Sequence, residues 1–403
     1  NGRRRQRQMC IRDSLKTANI TVSDNVNKAE ADTIDGYNST SGTVTLTSIT
    51  DTVDNVEAVR LDATISIASS TITVTDAASL ANANTFNSAT SAQVTLNSVE
   101  DTYDNLISID GITTSEVSMA DAAVKVTSNI DKTKLDTLRG DTTGTVTVAD
   151  ITEDKTDLGT ISKYADVDLK TANITVTGNV SKAEADTIDG YNSTSGTVTL
   201  STVTDTFANI KLLHEDTSIS IASAAVTVTN AASLANANTL NGYTSGQVTL
   251  NSVEDTYDNL ISIDGITTSE VSMADAAVKV TSNIDKTKLD TLRGDTTGTV
   301  TVADITEDKT DLGTISKYAD VDLKTANITV TGNVSKAEAD TIDGYNSTSG
   351  TVTLSTVTDT FANIKLLHED TSISIASAAV TVTNAASLAL SLIHISEPTR
   401  QSL

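Results

Sequence analysis

The sequence predicts an α/β repeat protein, a solenoid of strand-plus-short-helix units, and three observations lead to that fold class. A strand-like phrase, represented by ITVT at 174–177, recurs in variants that begin near residues 20, 72, 124, 174, 226, 278, 328 and 380. The phrases alternate apolar and polar residues, which is the pattern of a half-buried strand. Each phrase precedes a helix-capping pattern. A repeat of this length is typical of solenoids, in which every unit buries its apolar face against its neighbours.

The repeat has two levels. Successive units are 52 or 50 residues apart, and three units form a longer period of 154 residues. Residues 169–235 are identical to 323–389, and residues 93–168 are identical to 247–322. Recent duplication would produce such identity, and so would sequence assembly that loops through a repeat. The sequence therefore supports the unit more firmly than the number of copies.

The first half of a unit reads as a strand followed by a short helix. After the strand at 174–177, Ser181 and Glu184 have the spacing of a capping box. Gly190 stands where a left-handed residue would end the helix. The same glycine recurs as Gly36, Gly140, Gly242, Gly294 and Gly344, although Ser88 replaces it in one unit.

The second half repeats this order. A polar turn leads to a strand at 197–200, and Val203, Phe207, Ile210 and Leu213 then form one helical stripe. Asp205 is the predicted N-cap of this helix. The segment 218–222 alternates again and predicts a third, short strand. Each half spans about 24 to 28 residues, the size of a strand-plus-helix solenoid repeat. Two alternatives remain open at this level: a string of small βαβαβ modules and an all-β solenoid.

The two ends of the chain do not follow the repeat. The segments at 4–14 (RRQRQMCIRDS) and 390–400 (LSLIHISEPTR) resemble frame translations of sequencing-library adapters. We therefore treat residues 1–14 and 390–403 as adapter-derived and residues 15–389 as the tandem repeats, an interior piece of a longer protein. The only cysteine, Cys10, lies in the first of these ends.

Charge and composition limit the classes of partner that this chain is expected to bind. The formal net charge is −26, so the phosphates of nucleic acid would be repelled. The chain contains no run of 18 apolar residues, which argues against a membrane-spanning helix in this fragment. The expected partners are the neighbouring repeats, with cell-surface polysaccharide or other cells as further candidates.

Recurrent carboxylates are the candidate metal ligands. They are Asp51, Asp101, Asp205, Asp255 and Asp359, with Glu153 and Glu307 at the equivalent places of the third unit. One interpretation is that they cap the second helix of each unit. The other is that stacked units align them in a row whose repulsion Ca²⁺ relieves, although no calcium loop of the D-x-D-x-D-G type is present. Calcium is the only candidate cofactor.

Threonine-rich strands raise a second hypothesis. The pairs Thr43/Thr45, Thr145/Thr147, Thr197/Thr199, Thr299/Thr301 and Thr351/Thr353 could form a regular array of hydroxyl and methyl groups. Gln93 and Gln247 break this array, and Lys125 and Lys279 interrupt the other strand. Ice or polysaccharide binding on such a face competes with the plain strand preference of threonine.

Catalysis is not indicated by any motif. The sequence has no G-x-S-x-G, H-E-x-x-H or phosphate-binding loop, so we predict no catalytic residue and no enzyme activity. His214 and His368 occupy equivalent positions, and each is interpreted as a cation at a helix C-terminus.

A family resemblance rests on two phrases, VTVTNAASLANANTL at 226–240 and VEDTYDNL at 253–260. They resemble very large tandem-repeat proteins, rich in Thr, Asp and Ala, that marine and other Gram-negative bacteria secrete, often of adhesin type. The resemblance implies an extracellular or cell-surface structural role, a stalk or spacer. The alternative expectation is an ice- or polysaccharide-binding module that uses the threonine-rich strands.

Overall fold

The computed structural model describes residues 15–38, 40–112, 117–266 and 271–384. The two segments that resemble adapters, and the end of the repeat region beyond residue 384, lie outside the described residues. Within these ranges strands and helices alternate along the chain, as the sequence predicted. The fold is an α/β solenoid-like repeat.

The strands, in chain order, are β1 (Ile20–Val26), β2 (Val44–Asp51), β3 (Ile65–Ser66), β4 (Thr71–Ala78), β5 (Val94–Asp101), β6 (Val117–Ser118), β7 (Ala123–Ile130), β8 (Val146–Asp154), β9 (Val167–Asp168), β10 (Asn173–Val180), β11 (Val198–Asp205), β12 (Ile219–Ser220), β13 (Ala225–Val228), β14 (Val248–Leu250), β15 (Ser252–Asp255), β16 (Val271–Ser272), β17 (Ala277–Ile284), β18 (Val300–Asp308), β19 (Val321–Asp322), β20 (Asn327–Val334), β21 (Val352–Asp359), β22 (Ile373–Ser374) and β23 (Ala379–Val382). We call one long strand with the helix that follows it a rung.

The helices are α1 (Lys28–Asp35), α2 (Val53–Leu61), α3 (Leu80–Ala89), α4 (Tyr103–Asp110), α5 (Lys132–Asp141), α6 (Lys155–Ile161), α7 (Lys182–Asp189), α8 (Phe207–Glu215), α9 (Leu234–Tyr243), α10 (Tyr257–Asp264), α11 (Lys286–Asp295), α12 (Lys309–Ile315), α13 (Lys336–Asp343) and α14 (Phe361–Glu369). They are two to three turns long, so isolated they would be marginal, and packing on the sheet must stabilise them.

The chain divides into two compact parts, each of which contains several of the 52-residue repeat units. The first comprises Asn1–Ser201 and Asp216–Ser220, and the second comprises Thr202–Glu215 and Ile221–Leu403. In the first, the parallel strand order is β1-β2-β4-β5-β7-β8-β10-β11, with β3, β6, β9 and β12 paired to β2, β5, β8 and β11. In the second, β13-β14-β16 and β15-β17-β18-β20-β21 follow one another in the same parallel manner. Because each sheet continues through several rungs, the rungs are not separate βαβαβ modules, and the helices rule out an all-β solenoid.

The register of the sheet is staggered. Val94 of β5 pairs backward with Ile72, whereas Val99 of the same strand pairs forward with Val124. Five residues correspond to about 16 Å along a strand. Each 52-residue repeat is therefore displaced along the strand direction relative to the repeat before it, and the side-chain row that contains Val94 ends after five strands, from Val26 to Val117.

One face of the sheet is covered by the helices. The row Ile49, Ile72 and Val94 is fully buried, together with helix residues such as Leu106 and Ile109. The residues between the buried positions are half-exposed or exposed, as the pattern of β2 illustrates. The core is thus a thin layer of Val, Ile, Leu and Ala between strands and helices, which suits a chain with few aromatic residues.

Several elements match their sequence predictions. The first strand of the reference unit includes 174–177, and the third, short strand is β12. The capping box is confirmed, because the Ser181 hydroxyl accepts from the Glu184 N–H while Glu184 Oε2 accepts from the Ser181 N–H at 2.9 Å. Local sequence signals were sufficient here since both partners lie within one helical turn.

Two predictions about helix ends were wrong. Gly190 has φ −60°, a right-handed value, and the chain leaves α7 through tight turns in which Tyr191 N–H bonds to the Ile188 carbonyl. No left-handed residue is required at this helix end. Val203 belongs to β11 and not to the stripe of α8, because it pairs with Val226 of the following strand. The second strand is therefore longer than predicted.

A left-handed glycine does occur, but in a strand. Gly332 has φ +78° and lies between Val330 and Asn333 of β20, where the register with β21 shifts by a bulge. Gly178, its counterpart in β10, has φ +77°. A side chain with a Cβ would strain the backbone at either glycine, because both have positive φ.

Candidate functional site

The recurrent carboxylates lie at the C-terminal ends of the long strands and reach back to the preceding helix. Asp51 Oδ2 accepts from the Lys28 N–H at 2.8 Å, and Asp101 Oδ2 accepts from the Leu80 N–H at 3.0 Å. The same bond joins Glu153 to Lys132, Asp255 to Leu234, Glu307 to Lys286 and Asp359 to Lys336. In each case the donor is the first amide of the preceding helix, which has no partner inside that helix. Each carboxylate therefore fastens one rung to the previous one.

The predicted N-cap role of these carboxylates was wrong by one residue. The N-cap of α2 is Thr52, whose hydroxyl accepts from the Asn55 N–H, and the N-cap of α6 is Asp154. Asp205 likewise precedes the residue that accepts at the start of α8: Thr206 Oγ1 accepts from the Asn209 N–H. The strand continues to the carboxylate, so its side chain leaves the sheet before the helix begins.

Hydrogen bonding lowers the pKa values of four of these carboxylates, those of Asp51, Asp101, Asp255 and Asp359. Burial disfavours the charged form of Asp51, but donation from the Asn55 side chain and from the Lys28 and Thr52 amides outweighs it, so the pKa is lowered. The pKa values of Asp101 and Asp255 are lowered in the same way. For Asp359 the amides of Lys336 and Thr360 are the largest causes of the lowered pKa.

The calcium hypothesis is not needed to explain the recurrence of these carboxylates. Within the described ranges, no three or more His, Cys, Asp or Glu side chains come together as a metal-binding group. The candidates Asp51, Asp101, Asp205, Asp255 and Asp359 each accept from nearby N–H donors. The register does not align these carboxylates in a row, because Asp51 pairs with Val74 and Asp101 pairs with Val126. Asp51 and Asp101 instead accept from the first amides of helices, where a negative charge is favourable.

Sequence reasoning missed a second set of inter-rung acceptors. Asp76 Oδ1 accepts from the Val53 N–H at 2.7 Å, and Asn230 Oδ1 accepts from the Phe207 N–H at 2.9 Å. Ser128, Ser282 and Asn384 do the same for Tyr103, Tyr257 and Phe361. The available signal was a small polar residue five positions after the first residue of each of these strands. Its partner lies 23 or 25 residues earlier, so no local pattern identifies the bond.

Threonines form short rows across strands on the open face of the sheet. Thr50, Thr73 and Thr95 pair in sequence, and the row ends at Ser118. Two further rows are Thr204, Thr227, Thr249, Ser272 and Thr306, Thr329, Thr353, Ser374. All of these side chains are half-exposed. Of the threonine pairs noted in the sequence, the second members lie in strands, whereas Thr43, Thr145, Thr197, Thr299 and Thr351 lie just before them.

Charged rows separate the threonine rows. Glu100 at the end of the second unit pairs with Lys125, Thr147 and Asp168 of the third, so this row crosses four strands. Lys125 Nζ lies 2.7 Å from Glu100 Oε1. Glu254, Lys279, Thr301 and Asp322 repeat this arrangement. The open face therefore carries separate threonine patches, each only four residues wide.

The contact between successive helices differs from unit to unit at one position. His214, in the last turn of α8 as predicted, stacks on Tyr243 with ring centroids 3.8 Å apart. Asp141 and Asp110 occupy the equivalent positions in another unit, and burial followed by the charge of Asp110 raises the pKa of Asp141. Asp295 and Asp264 form the same pair. His368 lies in the last turn of α14.

A cavity replaces this contact in the third unit. Where α8 carries His214, the C-cap of α6 is Ser162, and Tyr191 occupies the place of Tyr243. The result is an open pocket of about 500 Å³ lined by residues that include Ser162, Asp168, Lys170 and Tyr191. An equivalent pocket of the same volume lies at Ser316, Asp322, Lys324 and Tyr345.

Comparison with protein-family models, with curated proteins and with solved structures found no match to this chain. Among the described helices none has the length and apolar character needed to cross a membrane.

Proposed function

We propose that this chain is a non-catalytic structural repeat region, a stalk or spacer in an extracellular, adhesin-like surface protein of a bacterium. The observation that carries the proposal is the way the rungs are joined. Strand pairing, the carboxylate bonds and the second set of inter-rung acceptors connect each rung to residues 21 to 25 positions away along the chain. Interactions of this kind add layers as the chain lengthens and do not close around a centre.

Composition supports the same role. A strongly acidic surface keeps a long repeat soluble and discourages association between copies. The resemblance to secreted adhesin-type repeat proteins agrees with an exposed, load-transmitting location. No ligand or cofactor is required for this function.

The spacer function is tested by measuring how the maximum dimension of the protein changes with the number of repeats. We expect that inserting one more 154-residue period increases the maximum dimension of the protein by a constant amount in small-angle X-ray scattering. Deleting one period should shorten it by the same amount, with an unchanged circular dichroism spectrum per residue. If the maximum dimension grows only as expected for a sphere of larger volume, the spacer function is wrong. Antibody labelling of intact producer cells tests the surface location, and a signal that requires permeabilisation contradicts it.

The alternative function is ice or polysaccharide binding on the threonine rows. The half-exposed row that contains Thr329 and Thr353 favours this alternative, because hydroxyl and methyl groups repeat there at the strand spacing of about 4.8 Å. A spacer should keep any measured ligand binding in the Thr199→Val and Thr353→Val variants, whereas a binding face should lose it. Thermal hysteresis equal to that of an inert protein removes the ice-binding version.

A further inference from the structure

The pocket beside Tyr191 is built by residues that depart from the other rungs. Gly159 and Ser162 stand where α8 has Lys211 and His214. A Cβ added to Gly159 would meet only the Tyr191 hydroxyl, at 3.9 Å. Small residues on α6 therefore leave open the space that the His214 ring fills in the next unit, and the half-exposed Tyr191 lines it.

Two charged residues that have uncharged counterparts in other units also line this pocket. Asp168 occupies the end of a cross-strand row where the threonine rows have Ser118 or Ser272. Lys170 is exposed at a position that is Ala120 in the previous unit. In the part of the chain that the structure describes, Lys170 forms no salt bridge, so its ammonium is available as a donor.

Arg139 fixes the segment at 164–167 that forms one wall of the pocket. Ala165 and Val167 line the pocket, and the residues that alternate with them, Tyr164 and Asp166, are both bound by Arg139. The Arg139 guanidinium lies 3.7 Å from the centre of the Tyr164 ring and donates to both Asp166 carboxylate oxygens at 2.8 Å. Such a preformed wall lowers the entropic cost of binding.

We propose that this pocket, and its copy beside Tyr345, binds a neutral saccharide segment. A tyrosine ring offers an apolar surface to the C–H face of a sugar, while a carboxylate, an ammonium and the hydroxyls of Thr145, Ser162 and Ser193 match its hydroxyl groups. The cavity of about 500 Å³ is in the range of small-molecule sites. Its polar and charged lining disfavours a mainly apolar ligand, and Asp168 with the net charge of −26 disfavours a polyanion.

Affinity gel electrophoresis of the full chain tests this site. The probes are four neutral polysaccharides, namely starch, hydroxyethylcellulose, galactomannan and agarose, with alginate as the anionic comparison. We expect at least one neutral gel to retard the protein and alginate not to do so. Retardation by none of the neutral gels, or by alginate alone, overturns the proposal.

Matched variants place the binding in the pocket. Ser162→His with Ser316→His should fill both pockets with the ring contact that His214 and Tyr243 already make, and should abolish retardation without unfolding. Tyr191→Ala with Tyr345→Ala should weaken binding about tenfold, the loss expected for one aromatic contact. The fold accepts alanine at this position, because Ala89 occupies it in another unit.

Controls separate this site from the threonine rows. Tyr37→Ala removes a tyrosine that is 56% exposed and outside the pocket, and should leave retardation unchanged. Thr329→Val with Thr353→Val changes the open sheet face and should also leave it unchanged. Retardation that survives the Ser162→His/Ser316→His variant, or that is lost in the threonine variant alone, contradicts the pocket. Neither result bears on the length test of the spacer.

Discussion

The covered and open faces of the sheet differ although they alternate along the same strands. Ile72 and Thr73 are neighbours in β4, and both pair with equivalent residues in β2 and β5. Ile72 is completely buried under helices, whereas Thr73 is half-exposed. The same backbone ladder thus supports one face that must be apolar and closely packed and another whose side chains are free to carry function. Stability should therefore depend mainly on the covered face.

The largest effect is expected on the covered face. Ile72→Ala leaves a cavity in a fully buried layer and should lower the free energy of unfolding by about 2 to 5 kcal/mol. Denaturant unfolding followed by circular dichroism measures the change, and Thr73→Ala is the control from the open face. Equal losses for the two variants would contradict the difference between the faces.

The carboxylate bonds between rungs should have the next largest effect. Asp101→Ala removes an acceptor from the amides of Leu80 and Thr102 and from the Asn105 side chain, and should cost about 1 to 3 kcal/mol. Asp104→Ala, on the exposed surface of α4, is the control and should cost less than 1 kcal/mol, roughly the helix-dipole contribution.

The pH dependence of this loss follows from the lowered pKa of Asp101. Because the native pKa lies below the unfolded value of about 3.9, its stabilising contribution is complete above that value and is lost as pH falls through the native pKa. The difference between the native chain and Asp101→Ala should therefore be constant from pH 7 to pH 5 and should shrink below about pH 4. A difference that persists at lower pH would mean that packing, and not ionisation, is responsible.

A smaller, stabilising effect is expected where two carboxylates meet between helices. Burial and Asp110 raise the pKa of Asp141, so the charged form is disfavoured in the fold at neutral pH. Asp141→Asn should stabilise the protein by about 0.5 kcal/mol at pH 7, the usual size of a surface charge interaction. The gain should disappear in acid, because Asp141 is then protonated. A destabilised variant at pH 7 would refute the repulsion.

The smallest effect on stability is expected from a substitution on the open face. Thr353→Val keeps the side-chain volume at a half-exposed position and should change stability by less than about 0.5 kcal/mol.

Chelation provides a separate test of the carboxylates. Since Asp51 and its equivalents bind amide hydrogens, we expect the same melting temperature in EGTA and in millimolar Ca²⁺. A fall of several degrees in EGTA would restore the calcium hypothesis.

Sequence reasoning recovered the features that depend on neighbours along the chain. The alternation at 174–177 identified a strand, and Ser181 with Glu184 identified a helix start, since both signals lie within one element. It failed where the competing partner was distant. Val203 fits a helical stripe and a strand equally well by spacing, and only its pairing with Val226 decides for the strand.

The candidate sites divide in the same way. The recurrence of Asp51 and its equivalents was visible in the sequence, but their partners, the first amides of the preceding helices, were not. The pocket was not visible at all. Gly159 and Ser162 are unremarkable residues of a short helix until Tyr191 of the next rung is placed beside them.

By itself the sequence determined the repeating unit, its strand and helix types and its acidic, threonine-rich surface, because periodicity, capping and charge are properties of contiguous residues. The tertiary structure decided which residues meet between rungs. That choice depends on the stagger by which Val94 pairs backward and Val99 pairs forward. A stagger is a relation between strands, set by the packing of whole layers, so no single unit of the sequence encodes it.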